Sequence, residues 1–377
     1  MQKHEIAIVG AGPCGSLLAF LLADAGRDVV LLEKARHPRN KPCGGGITPK
    51  TRAFIPVAWD NSVEDECRRA SLCYHRTVEL EWAEPVCYMV QRSRFDEFLC
   101  ATARGAGAAL WEDTSVRSVE KERNHVTLHT ERGPVLANLV VGADGAHSRV
   151  GAGMRRVRRY AFAAVTEVCP EPSRMEASRG KISVDFSVIP GGYGWIFPKG
   201  DHLNVGVYTV YPQAASIAAH LDRYLEKQGF GEALQTNRRG FPIPLRTESD
   251  QTVARDRVLL VGDAAALADP LTGEGVHAGC WSALLAAEAI LKNSGNYGAA
   301  VSGYERLMGQ KIWPQLRESD RLASVFYRYL HHAMSYLEKR PELAREFWHA
   351  VFLGQQEKLR LLPILGRILA GLVRREV

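Results

Sequence analysis

The chain has 377 residues, 46% hydrophobic and 24% charged, with a formal net charge of +6. This is an ordinary globular composition, long enough for one large α/β domain with a lobe or for two domains, and it excludes a fibrous or disordered chain. No apolar run reaches the roughly 18 residues that a membrane span needs, and no signal segment precedes the first strand, so a cytoplasmic location is expected.

The positive balance fits an anionic lipid surface or phosphorylated substrates, but plain solubility is the simpler reading; no nucleic-acid partner is expected. Eight cysteines show no C-x-x-C pair and no metal-ligand spacing, so reduced thiols and no metal are expected.

Ile6 to Val9 is a short apolar run suited to a buried parallel strand. Gly10, Gly12 and Gly15 follow as G-x-G-x-x-G, then an apolar helix from Ser16 to Ala25 and a second strand from Asp28 to Leu32 that ends in Glu33. Gly10 permits the tight turn, Gly12 lets backbone approach a pyrophosphate, and Gly15 lets the helix pack close. The helix N-terminus offers free N–H groups to phosphates, and Glu33, 18 residues after Gly15, is placed to accept from ribose hydroxyls. Strand, helix, strand and acid together read as a dinucleotide site.

Next come Cys43 and three glycines, Gly44 to Gly46. From spacing alone this is either a bulk-free loop that lies flat on a planar ligand or a flexible turn with Cys43 an inert small hydrophobe. Residues 50–70 read as loop or weak helix. Tyr74–Trp82 and Val86–Val90 read as a hairpin, and Arg92–Ala106 as an amphipathic helix with Phe95, Phe98, Leu99 and Thr102 on one face. Arg92 is placed either to reach a ligand's phosphates or on the surface. Short strands are expected at Ala108–Trp111, Val116–Lys121 and Val126–Thr130.

Val135–Val141 is another buried strand and runs into Gly142-Ala-Asp-Gly145, which puts Asp144 at the carboxyl end of the sheet. Tyr160–Val168, Lys181–Ile189, Tyr193–Phe197 and His202–Val210 read as an antiparallel sheet with no helix between strands. Tyr193, Trp195 and Phe197 alternate and share one sheet face, as a wall for an apolar ligand or as sheet core. Gln213–Gly229 reads as a helix. Arg257–Val261 is a strand ending at Gly262-Asp263; Asp269-Pro270 and Gly273-Glu-Gly275 precede a small-residue helix from Val276 to Leu291. Backbone N–H groups there suit a ligand's negative charge. The tail is helical and basic, with Trp313, Leu316, Leu322, Phe326 and Tyr329 on one face. Its last segment, Lys358–Val377, either lies on a membrane surface or packs on its own domain.

Over roughly residues 4–290 these motifs resemble the FAD-dependent geranylgeranyl reductase family, within the wider p-hydroxybenzoate-hydroxylase-like flavoproteins. The resemblance implies an α/β fold: a Rossmann-type FAD/NAD(P)-binding domain (1–70, 92–153, 246–300), an inserted antiparallel β-sheet substrate domain (71–91, 154–245) and a helical C-terminal region (301–377). It implies FAD contacts at Gly10, Gly12, Pro13, Gly15, Glu33 and Lys34, at Arg92 of an R-x-x-F-D segment, at Asp144 and Gly145, and at Gly262, Asp263, Pro270, Gly273, Gly275 and Val276. Lys41-Pro-Cys-Gly-Gly-Gly46 is similar to the family's C-G-G-G loop beside the isoalloxazine, with Cys43, Gly44 and Gly45 at the flavin and Cys43 as candidate proton donor. Tyr193-x-Trp195-x-Phe197-Pro198 is similar to its substrate-lobe signature.

The implied reaction is reduction of prenyl C=C bonds on a lipid or other prenylated molecule, with NAD(P)H or a ferredoxin-type protein as electron donor and peripheral membrane contact. The backbone amides of Gly273 to Val276 are expected to stabilise reduced flavin. An aromatic monooxygenase, a flavin halogenase and a non-catalytic prenyl-binding flavoprotein are the alternatives. Cys14 departs from the usual Ala of the phosphate loop, and the tail after about residue 300 matches nothing in the family pattern.

Overall fold

The structure is a computed structural model that describes residues 2–154, 157, 159–211, 217–247, 252–353 and 366. The apolar runs pair in parallel. They form the order β18 (Val258–Leu260), β11 (Gly133–Gly142), β1 (Gln2–Val9), β2 (Val29–Leu32) and β8 (Ala109–Trp111). Of these, β2 and β18 are buried throughout and the edge strand β8 is half-buried. β17 (Ala254–Arg255) closes one edge, and β9 (Val116–Lys121) and β10 (Val126–Thr130) extend β11 as an antiparallel ribbon. From β1 the chain moves one way to β2 and β8 and later returns to its other side at β11. The strand order therefore reverses between β1 and β11, where open α/β sheets bind ligands.

Helix α1 (Pro13–Asp24) packs on α3 (Arg92–Gly105) and α6 (Val276–Lys292), with α7 (Tyr297–Lys311) outside α6. The close approach has a steric basis. A Cβ on Gly15 would lie 1.9 Å from the Gly10 carbonyl oxygen, and one on Gly279 only 2.4 Å from Cys14 Sγ. Cys14 thus fills the slot left by two glycines of the facing segments, Gly262 and Gly279.

A second sheet has seven strands in the order β16 (Leu234–Leu245), β12 (Arg159–Cys169), β15 (His202–Thr209), β14 (Gly192–Lys199), β13 (Lys181–Asp185), β5 (Arg69–Cys73) and β6 (Thr77–Glu81). It is antiparallel except where β13 meets β5, a parallel pair. A short helix, α4 (Pro172–Ser178), lies between β12 and β13, where none was expected. One sheet face packs Ile196, Val205 and Val207 against α5 (Ile217–Lys227). Residues 213–216 of the expected helix lie outside the described residues. The other face carries Trp195 and Tyr208. Beyond β14, Phe186 meets the C-terminal helices α8 (Trp313–Arg328) and α10 (Pro341–Leu353), with α9 (Leu330–Leu337) in the same core cluster. Phe186 stacks on Trp348 at 5.3 Å, and Phe326 on Phe347 at 5.7 Å. Tyr329, expected on the buried face of α8, is exposed just past its end.

The hairpin expected from 74–82 and 86–90 does not form. Strands β4 (Val63–Cys67) and β5 meet at Arg68 and belong to different sheets, so their partners part as well. β6 pairs with β5, while β7 (Cys87–Val90) joins β4 and β3 (Gly46–Ile47) in a three-stranded sheet. β4, V-E-D-E-C, was hidden in the sequence because its charged side chains erase the apolar alternation. The short α2 (Pro49–Arg52) leads into this region. The terminal stretch 358–377 lies outside the described residues apart from 366.

A Gly15→Ala substitution tests the α1 packing. With the added methyl on a backbone oxygen, the expected loss is about 3 kcal/mol or more of unfolding free energy, measured by denaturant titration.

Candidate functional site

The carboxyl ends of β1, β11 and β18 bring three separated motifs together. Gly10, at φ +103°, lies so close to the Ala143–Asp144 backbone that a Cβ would come within 2.5 Å of the Ala143 oxygen. Gly12 faces open space: a Cβ there would have only the Arg39 guanidinium as neighbour, at 3.7 Å. α1 starts at Pro13 with no side-chain cap, so its first N–H groups are unserved by side chains.

Buried Glu33 accepts from the Ala11 amide at 2.8 Å and the Ala35 amide at 3.2 Å. Its carboxylate also meets Arg39, at 3.4 Å. Arg39 reaches Asp96 at 3.2 Å, and Asp96 takes a bidentate pair from Arg92 at 2.7 and 2.9 Å. Arg92 is therefore buried rather than a surface residue, and its guanidinium also faces the Cys43 thiol. Arg39, in no recognised motif, is what joins the two carboxylates. Lys34 is exposed beside this cluster.

Asp144 is committed to its own loop. It accepts from Ser148 Oγ at 2.5 Å and from the amides of Arg149 and Val150 at 2.6 and 3.2 Å; Gly145, at φ +79°, follows in open space. At β18 the turn Gly262–Asp263 faces Lys41, whose Nζ lies 3.9 Å from Asp263 Oδ2. This contact spans the cleft between the Cys43 loop and the N-terminus of α6.

The turn at 269–275 is held from three directions. Tyr208 donates to the Pro270 carbonyl at 2.9 Å, Tyr327 to that of Leu271 at 2.6 Å, and Tyr193 to that of Thr272. Burial pushes all three phenols up, so they remain O–H donors. Inside the turn, Asp269 accepts from the Leu271 and Thr272 amides, and the Gly273 amide donates to the Asp269 carbonyl at 2.8 Å. The Glu274 amide is also engaged, with Thr272 Oγ1 at 3.3 Å. Of the four amides expected to face a ligand, those of Gly273 and Glu274 are thus used within the turn, while Gly275 and Val276 begin α6, whose terminus has no side-chain cap.

Glu274 accepts from Thr48 and Thr51 hydroxyls at 2.8 and 3.0 Å and pairs with Lys50 at 2.9 Å. Burial opposes its charge, but Lys50, His277 and the hydroxyl donor win and its pKa is lowered.

The Cys43 loop and the Y-x-W-x-F-P strand interlock. A Cβ on Gly44 would touch the Phe197 ring at 3.0 Å and approach Trp195 Nε1 at 3.5 Å. One on Gly45, at φ +69°, would sit 2.3 Å from Lys199 Nζ and from the Val90 oxygen; one on Gly46 would lie 2.8 Å from Cys87 Sγ. The three glycines are small because this loop lies on the chain's own strand. Lys199 is buried and donates to the Val90 carbonyl at 2.9 Å; burial lowers its pKa. Cys43 accepts from the Gly45 amide at 3.3 Å. It opens on a small cleft of about 30 Å³, room for one or two waters, lined among others by Lys41, Arg92, Val165, Glu167 and Arg239.

Tyr193, Trp195 and Phe197 share a face as expected, yet Tyr193 spends its hydroxyl on the 269–275 turn and the Trp195 ring covers Gly206. From Val165 the same face continues over Ala163 and Ala161, flanked by half-buried Phe241 and Ile243. Among the described residues no His/Cys/Asp/Glu group could hold a metal, and no helix is long and apolar enough to cross a membrane.

Two substitutions test this electrostatic frame. Asp96→Asn leaves Arg92 and Arg39 without their shared carboxylate charge, with an expected loss of about 3–5 kcal/mol in urea unfolding. Glu274, with its lowered pKa, stabilises the fold above the ordinary carboxylate range and loses that contribution as pH falls through its folded value. Glu274→Gln is therefore expected to flatten the acid limb of the stability–pH curve.

Comparison with known proteins agrees with this assembly. The profile described as FAD binding domain matches residues 3–170, and that described as geranylgeranyl reductase catalytic domain matches residues 163–238. The chloroplastic geranylgeranyl diphosphate reductase of Oryza sativa subsp. japonica is 31% identical, covering 87% of this chain and 76% of its own length. The menaquinone reductase of Mycobacterium tuberculosis is 30% identical, over 77% of each chain. In fold, the crystal structure of a geranylgeranyl bacteriochlorophyll reductase-like protein from Thermoplasma acidophilum superposes with a TM-score of 0.77 at 23% identity, covering 87% of this chain and 88% of that one. The flavin-dependent halogenase CmlS shares the fold with a TM-score of 0.70 at 22% identity, covering 100% of this chain and 78% of its own. The chain belongs to the geranylgeranyl reductase family and is an FAD-dependent oxidoreductase.

Proposed function

We propose that the protein reduces C=C bonds of a prenyl chain carried on a lipid or other prenylated molecule. The observation that carries this reading is the interlock of the Cys43 loop with Trp195 and Phe197, which seats the one thiol of the glycine loop beside an aromatic sheet face. The relatives named for prenyl or quinone reduction support it.

The chain's residues suit FAD. The open face of Gly12, the uncapped terminus of α1 and Glu33 fit an ADP-ribose moiety, with Gly10, Pro13, Gly15 and Lys34 around them. Arg92, Asp144, Gly145, Gly262, Asp263, Pro270 and Gly273 shape the cleft. Gly275 and Val276 offer amides, and Cys43, Gly44 and Gly45 border it. Gly273 contributes conformation rather than a free amide, since its N–H is already used.

FAD, when bound and reduced, supplies a hydride. Cys43 Sγ–H is the candidate proton for the second alkene carbon. Phe197, Trp195 and the Ala161–Ala163–Val165 strip exclude water and orient the chain. We assign the FAD-binding part to 1–70, 92–153 and 246–300, the substrate part to 71–91 and 154–245, and a helical part to 301–377; the eight-stranded sheet, whose strands all fall in the first part, supports this division, while β7 pairs across it with β3 and β4, and β5 straddles its first boundary. NAD(P)H or a ferredoxin-type protein would supply electrons, and the net charge of +6 is compatible with peripheral contact with an anionic membrane.

The test is anaerobic. Protein reduced with dithionite is mixed with geranylgeranyl-bearing lipids, and flavin reoxidation is followed beside mass spectrometry of the lipid. Gain of two hydrogens per bond is expected in the wild type. Cys43→Ala is expected to keep FAD and lose the reduction; unchanged turnover removes Cys43 from the chemistry.

A further inference from the structure

Trp195 is the end of a chain of polar contacts that begins at the surface. Its indole Nε1 donates to Asn204 Oδ1 at 2.8 Å, and Asn204 Nδ2 donates to Glu167 Oε1 at 3.0 Å. Glu167 Oε2 lies 3.2 Å from His202 Nε2, and His202 Nδ1 lies 2.7 Å from Asp201 Oδ1. Strand register builds the chain: Glu167 stands opposite Asn204 across β12 and β15, and Asn204 opposite Phe197 across β15 and β14. Asn204 is 1% exposed, so its amide has no water to fall back on, whereas Asp201 is 96% exposed.

We propose that His202, acting through Glu167 and Asn204, positions the Trp195 indole against the Cys43 loop, and that this hold loosens when His202 gives up its proton. The positioned edge matters because Trp195 Nε1 is 3.5 Å from where a Gly44 Cβ would stand, and Glu167 itself lines the cleft onto which Cys43 opens.

The chemistry of the imidazole makes the arrangement sensitive to pH. Both ring nitrogens lie at ion-pair distance from a carboxylate, and only the imidazolium carries the positive charge that pairs with both. The neutral ring keeps one N–H for the shorter Asp201 contact but carries no charge, so the ion pair with Glu167, which rests on charge and proximity at 3.2 Å rather than on an aligned hydrogen bond, is lost. Glu167 would then be free to turn toward the other cations around it, namely Lys199, which feels its charge, and Lys41, Arg92 and Arg239, which share its cleft. The contact with Glu167 raises the His202 pKa against the effect of burial, with Asp201 adding to it. The hold is therefore complete below the ordinary histidine value of about 6.5 and is lost as pH rises through the raised one.

The inference rests on the reading that the Cys43 loop borders the flavin, but its test needs no alkene. FAD-loaded protein without substrate is titrated from roughly pH 5 to pH 9 while emission and absorbance of the bound flavin are followed. Wild type is expected to show one transition above the ordinary histidine range, because an indole quenches flavin according to its distance. His202→Gln is expected to abolish the transition, since the amide carries no charge that changes with pH; Glu167→Gln is expected to abolish it too and serves if the first variant fails to fold. A wild type without a transition, or a transition that survives unchanged in either variant, overturns the proposal. Failure of prenyl reduction with the transition intact would instead count against the substrate reading alone.

Discussion

The structure depends on the contact between a glycine loop and a lysine-ended aromatic strand. Gly44 lies tight against Phe197 and Trp195, Gly45 on Lys199 and Gly46 on Cys87, and a side chain at Gly45 or Gly46 would overlap its neighbours. Lys199 is buried and donates to the Val90 carbonyl, and Val90 in turn donates its amide to Gly45. Burying a lysine is costly unless it is satisfied, so its use here fixes the loop to the strand and excludes sliding. Cys43 inherits its position from this contact.

The same logic of spending polar groups on positioning recurs on the far side of the cleft. Three consecutive carbonyls, those of Pro270, Leu271 and Thr272, each accept from a different tyrosine. Two of these tyrosines lie on the central sheet strands and the third, Tyr327, on α8. The C-terminal helices are therefore more than a cover, because one of them holds the turn that opens α6. Glu274 ties this turn to Thr48, Thr51 and Lys50, the residues that follow the glycine loop. Both walls of the cleft are thus joined to each other by side chains as well as by backbone.

A charged ladder runs beneath the cleft: Glu33, Arg39, Asp96 and Arg92 alternate in sign, and Arg92 ends against Cys43. Each member is balanced by its neighbours, which is what makes the burial tolerable. The ladder couples the dinucleotide turn to the thiol loop, so the site behaves as one electrostatic unit rather than a set of motifs.

Much of this was legible in the sequence because it depends on local constraints. Steric demand at Gly10 and Gly15, period-2 alternation at Tyr193, Trp195 and Phe197, and apolar runs in β1, β2 and β11 are written in residue type and spacing. Those signals determined the Rossmann-type sheet, the second sheet, the resemblance to a family, and the residues around which the cleft is built. What only the tertiary structure decided depends on partners far apart in the chain. The split of β4 and β5 between two sheets, Arg39 as the bridge between Glu33 and Asp96, the three tyrosines on one turn, and the chain from His202 to Trp195 have no sequence period. Each joins side chains by long-range pairing, and a hydrogen bond or ion pair leaves no mark on the local pattern of the residues it connects. The triple glycine shows the difference best: its smallness was visible from the sequence, but the surface it is pressed against, the chain's own strand, was a matter of the fold.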